Sequence, residues 1–168
     1  VGRLDGLVVG ESARAGVFLD RRFLHPELEF AMSFPAGWEH ANAPTAVVAR
    51  PEDESALLAL QVAGEGDDPM AVATQFDSEI PLLERSGLEE INQLPAVTGV
   101  ARIVDRRHEI YLFLAWIAKD GLVYQVLGAA PESRWSSHRP RFEATARSFH
   151  QLLEAELREV RENHLRLV

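Results

Sequence analysis

Ile110-Tyr111-Leu112-Phe113-Leu114-Ala115-Trp116-Ile117-Ala118, then Lys119-Asp120-Gly121, then Leu122-Val123-Tyr124-Gln125-Val126-Leu127-Gly128-Ala129-Ala130, is the stretch that decides the fold. Leu112, Leu114 and Trp116 alternate with Tyr111, Phe113 and Ile117, so an extended backbone here is apolar on both faces. Such a strand needs cover on both sides and belongs in the middle of a sheet. Asp120-Gly121 supplies the pair of residues that a tight hairpin turn prefers. Two antiparallel strands, over 110–118 and 122–130, follow.

Working outward toward the N-terminus, Leu28, Phe30, Met32 and Phe34 alternate with Glu29, Ala31 and Ser33, a half-buried strand stopped by Pro35-Ala36-Gly37. Residues 45–50 and 55–63 read as two more strands joined by Pro51-Glu52-Asp53-Glu54. Asp68-Pro69 offers a helix N-cap with Pro at the first turn, and Val72, Phe76, Ile80 and Leu83 continue at helical spacing until Pro81 kinks or ends the run. Residues 88–94 and 95–105 are strand-like. Beyond the hairpin, Trp135, Phe142, Ala146 and Phe149 recur at helical spacing, although Pro140 argues against regular first turns. Residues 154–163 alternate Glu and Arg in the manner of a solvated helix.

Strands, helix, strands, helix, without βαβ alternation, predicts an α+β fold: an antiparallel sheet of about six strands with helices packed on it. Residues 1–24, with glycines at 2, 6, 10 and 16, read as a connector or the tail of a preceding domain. Residues 25–152 form the domain, and 153–168 a C-terminal helical tail. A chain of 168 residues with 46% hydrophobic and 26% charged residues suits one globular core.

A net charge of −9 gives no basic footprint for nucleic acid. No apolar run reaches the roughly 18–20 residues that cross a bilayer. The absence of cysteine excludes disulfides and thiolate chemistry without choosing a compartment. The chain starts at Val1 without an initiator Met, as a processed or truncated product would.

The candidate chemistry is sparse. His108-Glu109 opens like a zinc-protease motif, but the second histidine position holds Leu112, and on a strand the two positions stand about 13 Å apart. Histidines 25, 40, 108, 138, 150 and 164 do not share metal-ligand spacing. Serines 12, 33, 55, 136 and 137 lack a Gly-x-Ser-x-Gly elbow, and the sequence nominates no base for any of them. The glycines form no phosphate loop. The acidic pairs at 52–54, 67–68 and 89–90 read as solvated turns. No catalytic residue, metal ligand or cofactor site is therefore expected in this chain. As a contact surface the sequence offers Trp38, His40 and Asn42 by the Pro-Ala-Gly turn, and Trp135 at the start of the late helix. Trp38 follows a tight turn and needs somewhere to bury its ring.

Several short motifs occur together: Gly6-Leu7-Val8-Val9-Gly10 through Gly16, Phe23-Leu24-His25-Pro26, Phe34-Pro35-Ala36-Gly37-Trp38 with Asn42, and Asn92-Gln93-Leu94-Pro95-Ala96. Ala115-Trp116-Ile117-Ala118, 142–149 and the closing Leu165-Arg166-Leu167-Val168 complete the set. Together they resemble the C-terminal accessory domain of bacterial zinc metalloproteases of peptidase family 48, HtpX-like and of periplasmic type. The Phe-Pro-x-Gly-Trp turn and the order of elements also look like the PsbP-like fold. The resemblance implies a parent with a His-Glu-x-x-His helix and one zinc in a protease domain that this chain lacks. It further implies a periplasmic or membrane-associated location, with the protease domain and protein or peptide substrates as partners. The expected role is a non-catalytic domain that positions substrate, docks a partner or regulates access. The alternative is a free-standing exported PsbP-like binding or assembly protein.

Overall fold

The computed structural model describes residues 16–43 and 45–167. The decisive hairpin forms β10 (His108–Lys119) and β11 (Leu122–Pro131), paired from Lys119↔Leu122 to Ile110↔Pro131. Asp120 and Gly121 both hold positive φ, 50° and 83°, the geometry that matches the twist of a two-residue hairpin turn.

Around this pair lie β4 (Glu39–Asn42), β5 (Val47–Arg50), β6 (Leu57–Glu65), β7 (Leu82–Arg85), β8 (Glu89–Ile91) and β9 (Leu94–Asp105). They make one antiparallel sheet in the order β4-β5-β6-β11-β10-β9-β7, with β8 also on β9. A second antiparallel sheet has the order β1-β2-β3-β12, formed by β1 (Val17–Leu19), β2 (Arg22–His25), β3 (Phe30–Ser33) and β12 (His150–Gln151). The α+β class and antiparallel pairing stand as read from the sequence, with eight and four strands in place of about six.

Helix α1 (Pro69–Glu79) starts where expected: Asp68 accepts hydrogen bonds from the amides of Met70 and Ala71 at 3.1 and 3.2 Å. It covers one face of the large sheet, where Leu112, Leu114, Trp116 and Ala118 meet Ala73. Helix α2 (Glu132–Arg147) covers the other, where Phe113, Ala115 and Ile117 join Phe142, Ala146 and the small sheet's Phe23, Phe30 and Met32. The two-sided strand is therefore buried on both sides. Helix α2 runs through Pro140 without a break. An interior Pro costs about 3 kcal/mol in an isolated helix; the complete burial of Phe142 and Ala146 outweighs it here.

The connector expected over 1–24 yields to structure from Val17 onward. Phe23 and Leu24 are fully buried in β2, and the Phe23 ring lies so close to Gly16 that a Cβ there would sit 2.2 Å from it. Gly2, Gly6, Gly10 and Leu7-Val8-Val9 lie outside the described residues. The expected strand over 88–94 is instead β8, a turn at Asn92-Gln93 with positive φ at both residues, and the start of β9. The Asn92 side-chain amide donates to the carbonyls of Arg147 and Phe149 at 2.9 and 2.8 Å, closing the end of α2. Helix α3 (Glu154–Leu167) is seated by a two-bond Arg22–Glu159 ion pair at 2.6 Å and by buried Glu156, which faces His150 Nε2 at 2.9 Å.

Candidate functional site

The turn at Pro35-Ala36-Gly37, with Gly37 at φ 81°, delivers Trp38 onto helix α2. Its ring meets His138 edge-on at 5.6 Å and Phe142 at 6.4 Å. Trp135 lies 6.1 Å from the same Phe142, stacks on Tyr111 at 5.4 Å and carries the Arg139 guanidinium over its face at 5.7 Å. Two of the four contact residues proposed from sequence are thus brought together, as half-buried members of one aromatic group. His40 and Asn42 stand apart on exposed strand β4, where the His40 ring stacks on Phe18 at 3.6 Å.

Behind Trp38 the structure assembles three polar residues that the sequence did not connect. Ser55 Oγ lies 2.8 Å from His138 Nε2 and 2.6 Å from Asp53 Oδ1, and the Ser55 amide donates to the same carboxylate oxygen at 3.0 Å. The sequence nominated no base for Ser55, and the structure sets the His138 imidazole beside it. Asp53 and Ser55 form a local Asx-type turn that is legible in sequence, whereas His138 arrives from 83 residues away on α2.

Proton bookkeeping decides what the cluster can do. An ionised carboxylate only accepts, so the single hydroxyl proton of Ser55 points to Asp53. His138 then donates its Nε2 proton to Ser55 Oγ, which leaves Nδ1 bare. Nδ1 is buried and has no hydrogen-bond partner among the described residues. Burial is the largest cause holding the His138 pKa below its ordinary value; Arg141 and Arg134 push the same way, and Asp53 opposes them. The Ser55 hydrogen bonds hold the Asp53 pKa below the carboxylate range. A serine nucleophile needs the reverse wiring, with its proton on the imidazole and the carboxylate behind the imidazole. As assembled, the cluster is a clasp between the 51–56 loop and α2.

Unfolded, the His138 imidazole protonates near 6.5, and folded it protonates only at lower pH. The unfolded chain therefore binds more protons as pH falls, so stability rises with pH through this range. This contribution is neutral well above 6.5, turns unfavourable as pH falls through 6.5, and levels off below the folded pKa. Urea midpoints at about pH 8 and about pH 5 should differ less in His138→Phe than in the parent chain.

In front of the clasp opens a cleft of about 420 Å³ at one end of the large sheet, lined by Arg50, Glu54, Ser55, Leu57, His108 and Ile110 among others. His108 and Glu109, singled out by their order in sequence, begin β10; Glu109 faces Arg102 at 3.8 Å. Among the described residues no group of three or more His, Asp or Glu side chains is gathered to hold a metal ion. None of their helices is long and apolar enough to cross a membrane.

No family model matches the sequence, and no curated protein matches it. Solved structures do share the fold. The cyanobacterial PsbP protein (CyanoP) of Synechocystis sp. PCC 6803 superposes with a TM-score of 0.58 at 16% identity, over 80% of this chain and 95% of that chain. A protein of Bacteroides thetaiotaomicron gives 0.59 at 13% identity, over 83% of this chain and 51% of its own. LpqN of Mycobacterium tuberculosis, described as involved in cell envelope biogenesis, gives 0.55 at 12% identity, over 74% and 83%. The fold is PsbP-like. None of these comparisons connects the chain to peptidase family 48.

Proposed function

We propose that this chain is a non-catalytic binding or assembly module of PsbP-like fold that works in a bacterial cell envelope. The observation that carries this reading is the wiring of Ser55: the arrangement most like a catalytic centre directs the serine proton to Asp53 and leaves His138 without a carboxylate to orient it. The match over 95% of the CyanoP chain supports a module that stands alone, and the envelope role described for LpqN supports the location.

The finer reading, an accessory domain attached to a zinc metalloprotease, rests on the short sequence motifs at 23–26, 34–38 and 92–96. The zinc would belong to that protease domain and not to this chain. The coding DNA upstream of Val1 separates the two. A start codon and signal peptide close to Val1 support the free-standing module, and an in-frame His-Glu-x-x-His helix followed by a Glu ligand supports the protease parent. Either result keeps this chain as the binding part.

A further inference from the structure

Strand β11 outruns its neighbour: the β6 pairing ends at Leu57↔Ala129, while the β10 pairing continues to Ile110↔Pro131. The step leaves Leu57, Ile110 and Pro131 as an apolar floor, and the 51–56 loop walls it on one side. The Ser55–His138 contact pins that loop to α2, so the cleft is pre-formed rather than free to close. Its volume lies within the range of small-molecule sites, which commonly pair an apolar lining with a few oriented polar groups.

Of the polar side chains on the rim, Arg50 and His108 carry free-standing donors, and Glu54 is the acceptor a ligand must displace. Among the described residues the Arg50 side chain pairs only with Glu54, at 4.0 Å, and the two side chains are 52% and 75% exposed. An ion pair so long and so wet yields readily to a better acceptor. The Ser55 hydroxyl proton is already given to Asp53. His108, exposed at the start of β10, adds a ring N–H. What fits is an acceptor head on an apolar body, and a planar carboxylate matches the guanidinium in two parallel hydrogen bonds. The net charge of −9 disfavours a polyanion, whereas a single carboxylate meets the field of Arg50 locally.

We infer that the cleft between the 51–56 loop, β10 and the end of β11 binds a small amphiphilic carboxylate, its carbon chain on Leu57, Ile110 and Pro131 and its head on Arg50. This rests on the reading of the chain as a binding module. Decanoate is the probe, titrated into 15N-labelled protein and followed by amide shifts. The expected result is saturable shifts confined to 50–57, 108–110 and 129–131, with a Kd that is roughly millimolar or tighter. Arg50→Gln, an exposed change that leaves the fold intact, should weaken decanoate about tenfold and leave decanol unaffected. Glu54→Gln, which removes the competing acceptor, should tighten it. No saturable shift with decanoate, equal weakening of decanoate and decanol by Arg50→Gln, or stronger shifts from an acidic leucine-rich tetrapeptide would each overturn the proposal. Hydrolysis of p-nitrophenyl decanoate that disappears in Ser55→Ala would instead overturn the binding-module reading while leaving the site in place, so the two failures are distinguishable.

Discussion

Phe142→Ala is expected to lower the stability of the fold by about 3–5 kcal/mol, the range for deleting a fully enclosed aromatic ring. Phe142 is 0% exposed and joins the elements on its side of the large sheet. Its ring lies near Trp38, Trp135 and His138, and it fills a hollow that exists because residue 128 is glycine. A Cβ on Gly128 would stand 2.3 Å from the Phe142 ring. Gly128→Ala should therefore cost about 1–3 kcal/mol by overpacking. In the double variant the added methyl enters the space the ring vacates, so the two losses should sum to less than their separate values. Thermal unfolding checks both: at about 2–4 °C per kcal/mol the Phe142 variant should melt roughly 6–20 °C lower. Strict additivity would show that the two groups do not share the hollow.

Trp116→Ala should have a comparable effect on the opposite face, about 3–5 kcal/mol for the ring. The orphaned partner adds to it, because the Trp116 indole N–H donates to Gln125 Oε1 at 2.9 Å and Gln125 is buried. A buried acceptor left without its donor costs about 1–3 kcal/mol more. Trp116 also meets Phe76 of helix α1 at 5.4 Å. Hydrogen exchange in α1 should accelerate more than in α2, and adding Gln125→Leu should recover the part of the loss due to the stranded acceptor. Equal acceleration in both helices would argue against Trp116 as the seat of α1.

The sequence carried the central hairpin plainly because three independent signals agree there: alternation on both faces, β-branched and aromatic residues, and an Asp-Gly turn. Helix α1 was legible from its Asp68-Pro69 cap and the helical spacing of Val72 and Phe76, whereas Leu83, read into the same run, lies in β7. Strand β4 left no trace, since all four of its residues are exposed and no alternation marks it. Strand β2 was hidden because Phe23 and Leu24 are adjacent and both buried, as happens in a strand packed on two sides, and β1 because its three residues are all half-buried. Asn92-Gln93 passed for strand because neither residue is glycine, although Asn accepts a left-handed backbone and its amide is occupied with the end of α2. Of the proposed contact residues, Trp38 and Trp135 were findable as large rings needing cover. The Ser55–His138 contact was not, because it depends on how α2 lies over the sheet, a tertiary fact with no local signature.

The claim that this chain binds rather than turns over substrate depends on the direction of the Ser55 proton. A fluorophosphonate, which labels serines activated by a neighbouring base, tests that direction when intact protein mass is read after prolonged exposure. An unchanged mass, the same as for Ser55→Ala, is the expected result, with Ser55 held as a clasp between Asp53 and His138. A stoichiometric adduct on Ser55 that is lost in His138→Phe would contradict it and make the cleft an active site.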